Sequence, residues 1–273
     1  MRRNDDAGEM MNLTEDKILS YGNTLYDCLR ARRTIEPLTD QEPGITIEDA
    51  YRISLQLLQQ RQDDGEKIIG KKIGVTSKAV QDMLQVDQPD FGYLTDRMVY
   101  NNGDEMPISS EMIQPRAEGE IAFILKHDLA GPGITNAAVL RATECVMPCF
   151  EIVDSRIRDW KIRIQDTIAD NASCGSFMLG DRAVNPRNVD LVTCGMVHTK
   201  NGEVIATGAG AAALGSPVNC VAWLANTLGE FGIKLLAGEV ILSGSLVPLH
   251  PIVPGDSMGL SIGGIGNAAV RFT

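Results

Sequence analysis

The stretch Gln114-Pro-Arg-Ala-Glu-Gly-Glu-Ile-Ala-Phe-Ile-Leu125 predicts a β-strand with two chemically different faces. Side chains of a strand alternate in direction, so Ile121 and Phe123 share one face while Glu118 and Glu120 share the other. Residues i and i+2 of a strand have Cα atoms roughly 6–7 Å apart. The two carboxylates can therefore converge on one ion while the apolar face is buried in a core.

A third acid, Glu151, lies in another apolar run, Pro148-Cys-Phe-Glu-Ile-Val-Asp-Ser155, where its neighbours Phe150 and Ile152 would face the opposite way. Carboxylates held close together on a half-buried surface repel one another unless a cation lies between them. Three carboxylates with open positions suit a hard ion such as Mg²⁺ or Mn²⁺. The alternative is that Glu118 and Glu120 line the solvated face of an edge strand, because Glu-x-Glu is a common pattern.

The composition is that of an ordinary globular protein and excludes several classes of function. The chain has 273 residues, of which 44% are hydrophobic and 22% are charged. A formal net charge of −11 and an aromatic content of 5% argue against a nucleic-acid partner. No apolar run approaches the roughly 20 residues that span a bilayer, and no secretory signal is visible, so we expect no membrane segment.

The cysteines and histidines argue against a zinc site. The chain has six cysteines with no C-x-x-C pair, and only three histidines. None of the thiols has an obvious basic partner, which makes a cysteine nucleophile a poor hypothesis. We predict reduced thiols and a cytoplasmic protein.

Residues 1–64 form a predicted N-terminal helical segment. Thr14 is a candidate N-cap for a first helix. Thr46 and Asp49 have the spacing of a capping box, and the second helix that follows them ends near Gly65.

Residues 65–273 have a different texture, in which short β-like runs alternate with glycine and proline turns. Asn201-Gly202 predicts a hairpin, and Ser216-Pro217 opens a helix that Gly232 closes. We also predict a helix from Asn136 to Val146. A regular βαβ repeat is absent from this pattern, which favours an α+β domain built on a largely β core.

Three further polar positions each have a functional and a structural interpretation. Lys72, in a glycine-flanked strand, could be an acid/base group with a depressed pKa or a solvated lysine. Asp90 could transfer protons or merely organise a Pro-Asp-x-Gly turn. Ser173 lies in the polar loop Asp170–Gly175, which could bind a ligand or simply form an Asx turn.

Taken together, the motifs resemble the fumarylacetoacetase superfamily over about residues 65–273. The matching motifs are GKKIGVT, QPRAEGEIAFIL, FEIVDSR, ADNASCG and EVILSGSL with VPGDSMGLSIGGIG. The helical start is similar to that of a branch of hydratases and decarboxylases, and VDQPDFG and SRIRDWKIRIQDTIADNASCG resemble its hydratases. The resemblance implies a mixed β core, a β-roll or sandwich, behind the N-terminal helical segment.

The resemblance also implies roles for particular residues. It implies that Glu118, Glu120 and Glu151 bind Mg²⁺ or Mn²⁺, and that Lys72 lies in the active site with Asp90 nearby. It further implies that Ser173 and Ser243-Gly244 line the substrate pocket, and that the chain forms a homo-oligomeric ring or stacked rings.

The implied activity is that of a lyase in the meta-cleavage degradation of aromatic compounds. Water would add to the small molecule 2-hydroxypenta-2,4-dienoate to give 4-hydroxy-2-oxopentanoate. One alternative is decarboxylation of a 2-oxo-3-enedioate such as 4-oxalocrotonate at the same metal. A second is carbon–carbon hydrolysis of an acylpyruvate, for which we identify no Glu–His pair to activate water. A third is a catalytically silent, metal-stabilised scaffold or binding protein.

Overall fold

A computed structural model describes residues 12–273 and contains, within that range, eight α-helices and thirteen β-strands. The helices are α1 (Glu15–Ala31), α2 (Leu38–Gln41), α3 (Ile47–Asp63), α4 (Lys78–Leu84), α5 (Ile108–Glu111), α6 (Asn136–Ala142), α7 (Ile164–Ala169) and α8 (Pro217–Gly229). The strands are β1 (Ile68–Gly74), β2 (Asp90–Thr95), β3 (Val99–Asn101), β4 (Glu105–Met106), β5 (Arg116–Leu125), β6 (Thr143–Val153), β7 (Cys174–Leu179), β8 (Gly195–Lys200), β9 (Glu203–Ala209), β10 (Val240–Leu242), β11 (His250–Pro251), β12 (Ser257–Ile262) and β13 (Gly266–Phe272). None of these helices is long and apolar enough to cross a bilayer.

The strands form two mixed sheets. The larger has the order β2-β1-β10-β5-β6-β7-β3, with β11 also paired to β5, and the smaller has the order β4-β13-β12-β8-β9. Most pairs are antiparallel, but β1–β10, β3–β7 and β4–β13 are parallel. The predicted α+β class with a mixed β core is confirmed.

The larger sheet curls, so that one of its faces encloses a small interior. Leu94 of β2, Ala122 of β5 and Phe177 of β7 pack in one buried cluster although their strands are not neighbours in the sheet. The opposite face of the same sheet packs against the smaller sheet, where Phe150 and Met196 belong to the main core. This arrangement places the polar face of β5 inside the curl.

The N-terminal helices pack beside one opening of this curl. Side chains of α1 and α3, such as Leu25 and Ile53, share a buried cluster with Ile168 of α7. The predicted capping box is present: Thr46 Oγ1 accepts a 3.0 Å hydrogen bond from the Asp49 backbone. Thr14 lies at the N-cap of α1 without a capping hydrogen bond. Residues 1–11 of the predicted segment lie outside the described residues, and a boundary between residues 64 and 65 stays a prediction.

Two other sequence predictions are confirmed and one is wrong. Asn201-Gly202 joins β8 to β9, and Ser216 accepts a hydrogen bond from the Val218 backbone at the start of α8. The helix expected over residues 136–146 ends at Ala142. From Thr143 the chain is strand β6, because it pairs with β5 along its whole length.

Candidate metal centre

Three glutamates converge inside the curled sheet. Glu118 lies directly opposite Glu151 in the β5–β6 register, and Glu120 is two residues further along the same face of β5. One carboxylate oxygen from each glutamate lies within 4.8 Å of the other two. Strand β5 is flanked by β10 and β6, so the alternative of a solvated edge strand is wrong.

Burial and mutual repulsion disfavour three negative charges here. Burial first, and then the charge of Glu151, raise the pKa of Glu118 to about 8 against the opposing effect of Lys72. The pKa of Glu120 is well above its ordinary value, first because of burial and then because of the other two carboxylates. A divalent cation among the three would favour their ionised forms.

The donor set fits a hard divalent ion. Glu120 Oε1 and both carboxylate oxygens of Glu151 are buried and have no hydrogen-bond partner within residues 12–273. The other oxygen of Glu120 accepts a 2.8 Å hydrogen bond from the backbone of Gly244. Buried carboxylate oxygens are costly when unpaired, and a Mg²⁺ or Mn²⁺ ion would satisfy them.

Lys72 and Asp90 meet beside this cluster. Lys72 Nζ lies 3.2 Å from Glu151 Oε1. A Cβ atom added to Gly74 would lie 2.3 Å from Asp90 Oδ1 and 3.3 Å from Lys72 Nζ, so Gly74 leaves the space in which the two groups meet. Asp90 is the buried first residue of β2, which rules out the interpretation as a turn residue.

The pKa of Lys72 departs from the sequence expectation. Burial lowers it, but the charges of Glu151 and Asp90 outweigh burial and the net pKa is raised, so the predicted depression is wrong for the protein alone. Burial raises the pKa of Asp90, against the lowering effect of Lys72. A divalent ion at the glutamates would add positive charge nearby and lower the pKa of Lys72.

Ser173 lies in a loop that is fixed to β2. Asn171, Ala172 and Ser173 have φ values of 54°, 50° and 51°. Three consecutive left-handed residues without glycine are strained, and such backbone strain clusters at functional sites. The Asn171 side chain accepts a hydrogen bond from Tyr93 N at 2.8 Å and donates one to Tyr93 O at 2.9 Å. Asn171 therefore bonds β2 rather than forming an Asx turn, and Ser173 is held buried next to it.

Ser243 and Gly244 follow directly after β10. The Ser243 hydroxyl donates a 2.8 Å hydrogen bond to Ile121 O. Gly244 has φ +93°, and a Cβ there would lie 2.3 Å from Thr76 Oγ1. Gly244 thus orients Glu120 through its backbone, while the substrate-binding roles of Ser173, Ser243 and Gly244 stay predictions.

The sequence analysis missed Arg156, the largest fully buried side chain. Its Nε forms an ion pair with Asp170 Oδ1, and its Nη2 donates a 2.6 Å hydrogen bond to Asp170 O. Burial raises the pKa of Asp170 to about 6, against the lowering effect of Arg156. The pair joins the two ends of the segment between β6 and β7, which contains α7. The sequence signal of Arg156 is its place at the end of the motif FEIVDSR, Phe150 to Arg156.

The environment of the thiols disfavours a catalytic cysteine. All six cysteines are free in the described part of the chain. Burial raises the pKa of Cys149 and Cys174, the two nearest the glutamates, well above the ordinary value. A thiolate nucleophile is therefore disfavoured.

Known proteins with similar sequences and structures point to one family. Residues 65–273 match the family described as fumarylacetoacetate (FAA) hydrolase, C-terminal. A 2-hydroxypent-2,4-dienoate hydratase of Pseudomonas putida is 72% identical over 220 residues, covering 80% of this chain and 99% of that protein. A 2-hydroxyhexa-2,4-dienoate hydratase of Comamonas testosteroni is 58% identical over 257 residues, covering 94% and 97%.

A solved structure matches both the fold and the N-terminal segment. The 4-oxalocrotonate decarboxylase of Pseudomonas putida G7, complexed with magnesium and adipate, superimposes with a TM-score of 0.92 at 35% identity and covers 96% of this chain and 99% of its own. The predicted enzyme class, a carbon–oxygen hydro-lyase, is confirmed by the two sequence relatives, which are both hydratases. The chain belongs to the fumarylacetoacetate hydrolase family.

Proposed function

We propose that this protein is a divalent-metal-dependent hydratase that converts 2-hydroxypenta-2,4-dienoate and water into 4-hydroxy-2-oxopentanoate. The observation that carries the proposal is the convergence of three carboxylates, buried Glu120 and Glu151 and half-buried Glu118, next to Lys72 and Asp90. The names of the sequence relatives support the substrate class, and the magnesium in the structural relative supports the metal.

Electrostatics explain why such a site needs a cation. The substrate is an anion, the protein has a formal net charge of −11, and the pocket holds three glutamates. Coulomb repulsion would oppose binding unless positive charge lay between the pocket and the substrate. When bound at Glu118, Glu120 and Glu151, Mg²⁺ or Mn²⁺ supplies attraction and stabilises negative charge on the 2-oxygen of the substrate.

We assign the proton transfers to Lys72 and Asp90. In the first half of the reaction the 2-hydroxyl loses a proton and carbon 5 gains one, which gives 2-oxopent-3-enoate. In the second half the oxygen of water bonds to carbon 4, one proton of that water leaves, and carbon 3 gains a proton.

In each half Asp90 accepts the departing proton and Lys72 donates the arriving one. Asp90 then returns its proton to the adjacent Lys72, so the pair is reset and the net change is the addition of one water molecule. General acid–base help of this kind is worth roughly 10²–10⁴ in rate.

The first experiment removes and restores the metal while the loss of diene absorbance is followed. We expect the metal-free protein to be inactive and Mg²⁺ or Mn²⁺ to restore hydration. Lys72→Ala and Asp90→Asn should each lower kcat by about 10²-fold or more while metal affinity is kept. Full activity after chelation would contradict metal dependence, and an unchanged kcat in both variants would exclude the pair from proton transfer.

Decarboxylation is the second candidate, because the decarboxylase structure matches 96% of the chain. The same metal site could polarise a 2-oxo-3-enedioate. Incubation with each substrate separates the two activities, since decarboxylation releases carbon dioxide and hydration does not. We expect hydration of the five-carbon dienoate to be the faster reaction.

A further inference from the structure

Two consecutive lysines of β1 are both buried, but only one of them faces the glutamates. Lys72 lies opposite Leu242 of β10, which packs in the cluster inside the curl. Lys71 lies opposite Ile241 of β10 and Tyr93 of β2, which belong to the main core on the other face of the sheet. Each lysine is only 3% exposed. The two side chains are chemically identical, so the fold decides which of them reaches the metal centre.

A β-bulge just before the two lysines sets this choice. The register with β2 shifts between Ile68 and Gly70, where β1 holds one residue more than its partner. Ile68 packs against the main core. Strict alternation from Ile68 would therefore place Lys71 inside the curl and Lys72 outside it. The extra residue reverses the two, so the position of the bulge determines which lysine faces the glutamates.

The backbone of β1 is a weak anchor for this bulge. Glycines flank the lysines at positions 70 and 74, and glycine inside a strand weakens it. A Cβ atom on Gly70 would lie 2.0 Å from Val240 O, so β10 approaches β1 closely at this point. The close approach marks the place of the bulge but supplies no side chain to hold it.

The ion pair between Lys71 and Glu239 supplies such a side-chain contact. Lys71 Nζ lies 2.6 Å and 2.8 Å from the two carboxylate oxygens of Glu239, and 5.7 Å from the centre of the Tyr93 ring. Glu239 Oε2 also accepts a 2.9 Å hydrogen bond from Leu236 N. The side chains of the pair are 3% and 9% exposed. A buried charge pair forms only in the register that brings its partners together, and fixing register is the best-attested use of such pairs.

We propose that Glu239 is a positioning residue, which holds Lys71 on the outer face of the sheet and thereby places Lys72 beside Glu151. The inference rests on the proposed hydratase function, in which Lys72 moves protons. Lys71 and Glu239 meet on the face of the sheet that is opposite the glutamates, so their effect on the reaction passes through the placement of Lys72.

The side chain of Glu239 is not needed to hold β10 on β5. Leu125 N donates a 3.1 Å hydrogen bond to Glu239 O, and Gly238 N donates a 2.7 Å hydrogen bond to Leu125 O. These backbone contacts do not depend on the carboxylate. We therefore expect the contact of Gly244 with Glu120, and with it the affinity for metal, to survive when the charge of Glu239 is removed.

The test compares Glu239→Gln with Asp256→Asn in the full chain with saturating Mn²⁺. Asp256 is a matched control beside the smaller sheet, since its carboxylate lies 2.8 Å from Lys200 Nζ and accepts a 2.9 Å hydrogen bond from Val253 N. Both substitutions remove one charge of a lysine–carboxylate pair, so both should lower the midpoint of urea unfolding. Only Glu239→Gln should lower kcat for hydration, by about tenfold or more, because misplacing a catalytic group by roughly 1 Å can cost about 10²-fold. KM and the affinity for Mn²⁺ should stay within about twofold.

A double-mutant cycle shows whether Glu239 acts through Lys72. In the Lys72→Ala protein, adding Glu239→Gln should change kcat by less than about twofold, because the lysine that Glu239 positions is already gone. Independent, multiplying losses in the two variants would overturn the inference. An unchanged kcat in Glu239→Gln would also overturn it, as would an equal fall of kcat in Asp256→Asn.

If Glu239→Gln does not fold, Glu239→Asp gives the same comparison, since the shorter side chain keeps the charge but draws Lys71 out of place. It should lower kcat by at least about threefold, and a wild-type kcat would overturn the inference. Wild-type protein that does not hydrate the dienoate, or Lys72→Ala protein with unchanged kcat, would instead contradict the proposed function. The two failures are therefore distinguishable.

Discussion

At the scale of single residues, the glutamates of the candidate metal centre differ in the partners that hold their carboxylate oxygens. One oxygen of Glu120 accepts a hydrogen bond from the Gly244 backbone and the other accepts none in the described chain. Glu151 accepts no hydrogen bond there and is held only by its ion pair with Lys72. This difference indicates that Glu120 is oriented by the fold before any ion binds. Pre-oriented ligands lower the cost of binding a metal.

Glu120→Gln should therefore abolish metal binding and activity together. The amide keeps the shape of the side chain but removes the charge that a hard cation needs. We expect the affinity for Mn²⁺, measured by calorimetry, to fall by at least about 100-fold. Glu144→Gln is the matched control, since Glu144 lies exposed on the strand that carries Glu151. Strong Mn²⁺ binding in Glu120→Gln would contradict its assignment as a ligand.

Alternation along one strand was enough to predict the Glu118–Glu120 pair, because both residues are neighbours on one face. Arg156 could not be predicted in this way. Its function depends on Asp170, and only the folded chain brings that partner to it. The depressed pKa expected for Lys72 was wrong for the same reason, since its partner Glu151 is 79 positions away by sequence numbering.

At the scale of elements, the turn that follows β10 orients the metal ligand Glu120. Gly244 has a left-handed backbone and packs against Thr76, so that its N–H reaches Glu120. Gly255 has a similar φ of +97° but no atom within 4 Å of an added Cβ. The two glycines separate the effect of backbone strain from the effect of crowding.

Gly244→Ala should destabilise the protein and weaken its metal site, whereas Gly255→Ala should only destabilise it. Alanine at positive φ costs more than about 1 kcal/mol of unfolding free energy in both cases. Only at position 244 does the new methyl displace the loop that orients Glu120. Urea unfolding gives the first quantity and Mn²⁺ titration the second. Equal metal affinities in the two variants would contradict the role of the Gly244 backbone.

The buried Arg156–Asp170 pair stabilises the segment between β6 and β7, which contains α7. Removing one partner of a buried ion pair leaves an unpaired charge and costs about 3–5 kcal/mol. Arg156→Met should therefore lower the unfolding free energy by that amount, and adding Asp170→Asn should recover part of the loss. Urea unfolding of the two variants checks this. A double variant that is less stable than Arg156→Met alone would contradict the pairing.

Local elements with their own signals were predictable, such as the capping box at Thr46 and the Asn201-Gly202 hairpin. The helix over 136–146 was extended too far because β6 draws residues 143–146 into pairing with β5, a contact that the local pattern does not contain. The position of β10 between β1 and β5 could not be predicted either, because β10 (240–242) is more than 100 positions from both strands in the sequence.

At the scale of the whole molecule, the interface between the two sheets contains a buried imidazole. His198 of β8 packs 5.3 Å from the Phe150 ring and 5.5 Å from the His250 ring. Neither of its ring nitrogens has a hydrogen-bond partner in residues 12–273. Lys200 and its ion-pair partner Asp256 lie near His250. Within residues 12–273, burial and His250 set the pKa of His198, and no acid opposes them.

This imidazole predicts acid sensitivity of the fold. Burial, and then His250, lower the pKa of His198 from 6.5 to about 4. His198 is therefore protonated below about pH 6.5 in the unfolded chain but only below about pH 4 in the folded chain. Stability is lost as pH falls through that window, by up to about 3 kcal/mol.

His198→Leu should remove this part of the pH dependence, and His127→Leu at an exposed position should not. Urea unfolding at pH 7 and pH 4.5 measures the difference for each protein. Identical pH dependence in wild type and His198→Leu would contradict the assignment of the acid-sensitive step to His198.

The site at the curled sheet unites residues from four strands, β1, β2, β5 and β6. A divalent ion among Glu118, Glu120 and Glu151 is the claim on which the proposed chemistry depends. Crystals grown with Mn²⁺ and measured at the manganese absorption edge locate such an ion directly. We expect one strong anomalous peak per chain, about 2.0–2.2 Å from an oxygen of each of the three glutamates. A map with no peak between them, or with manganese bound only elsewhere, would contradict the metal centre.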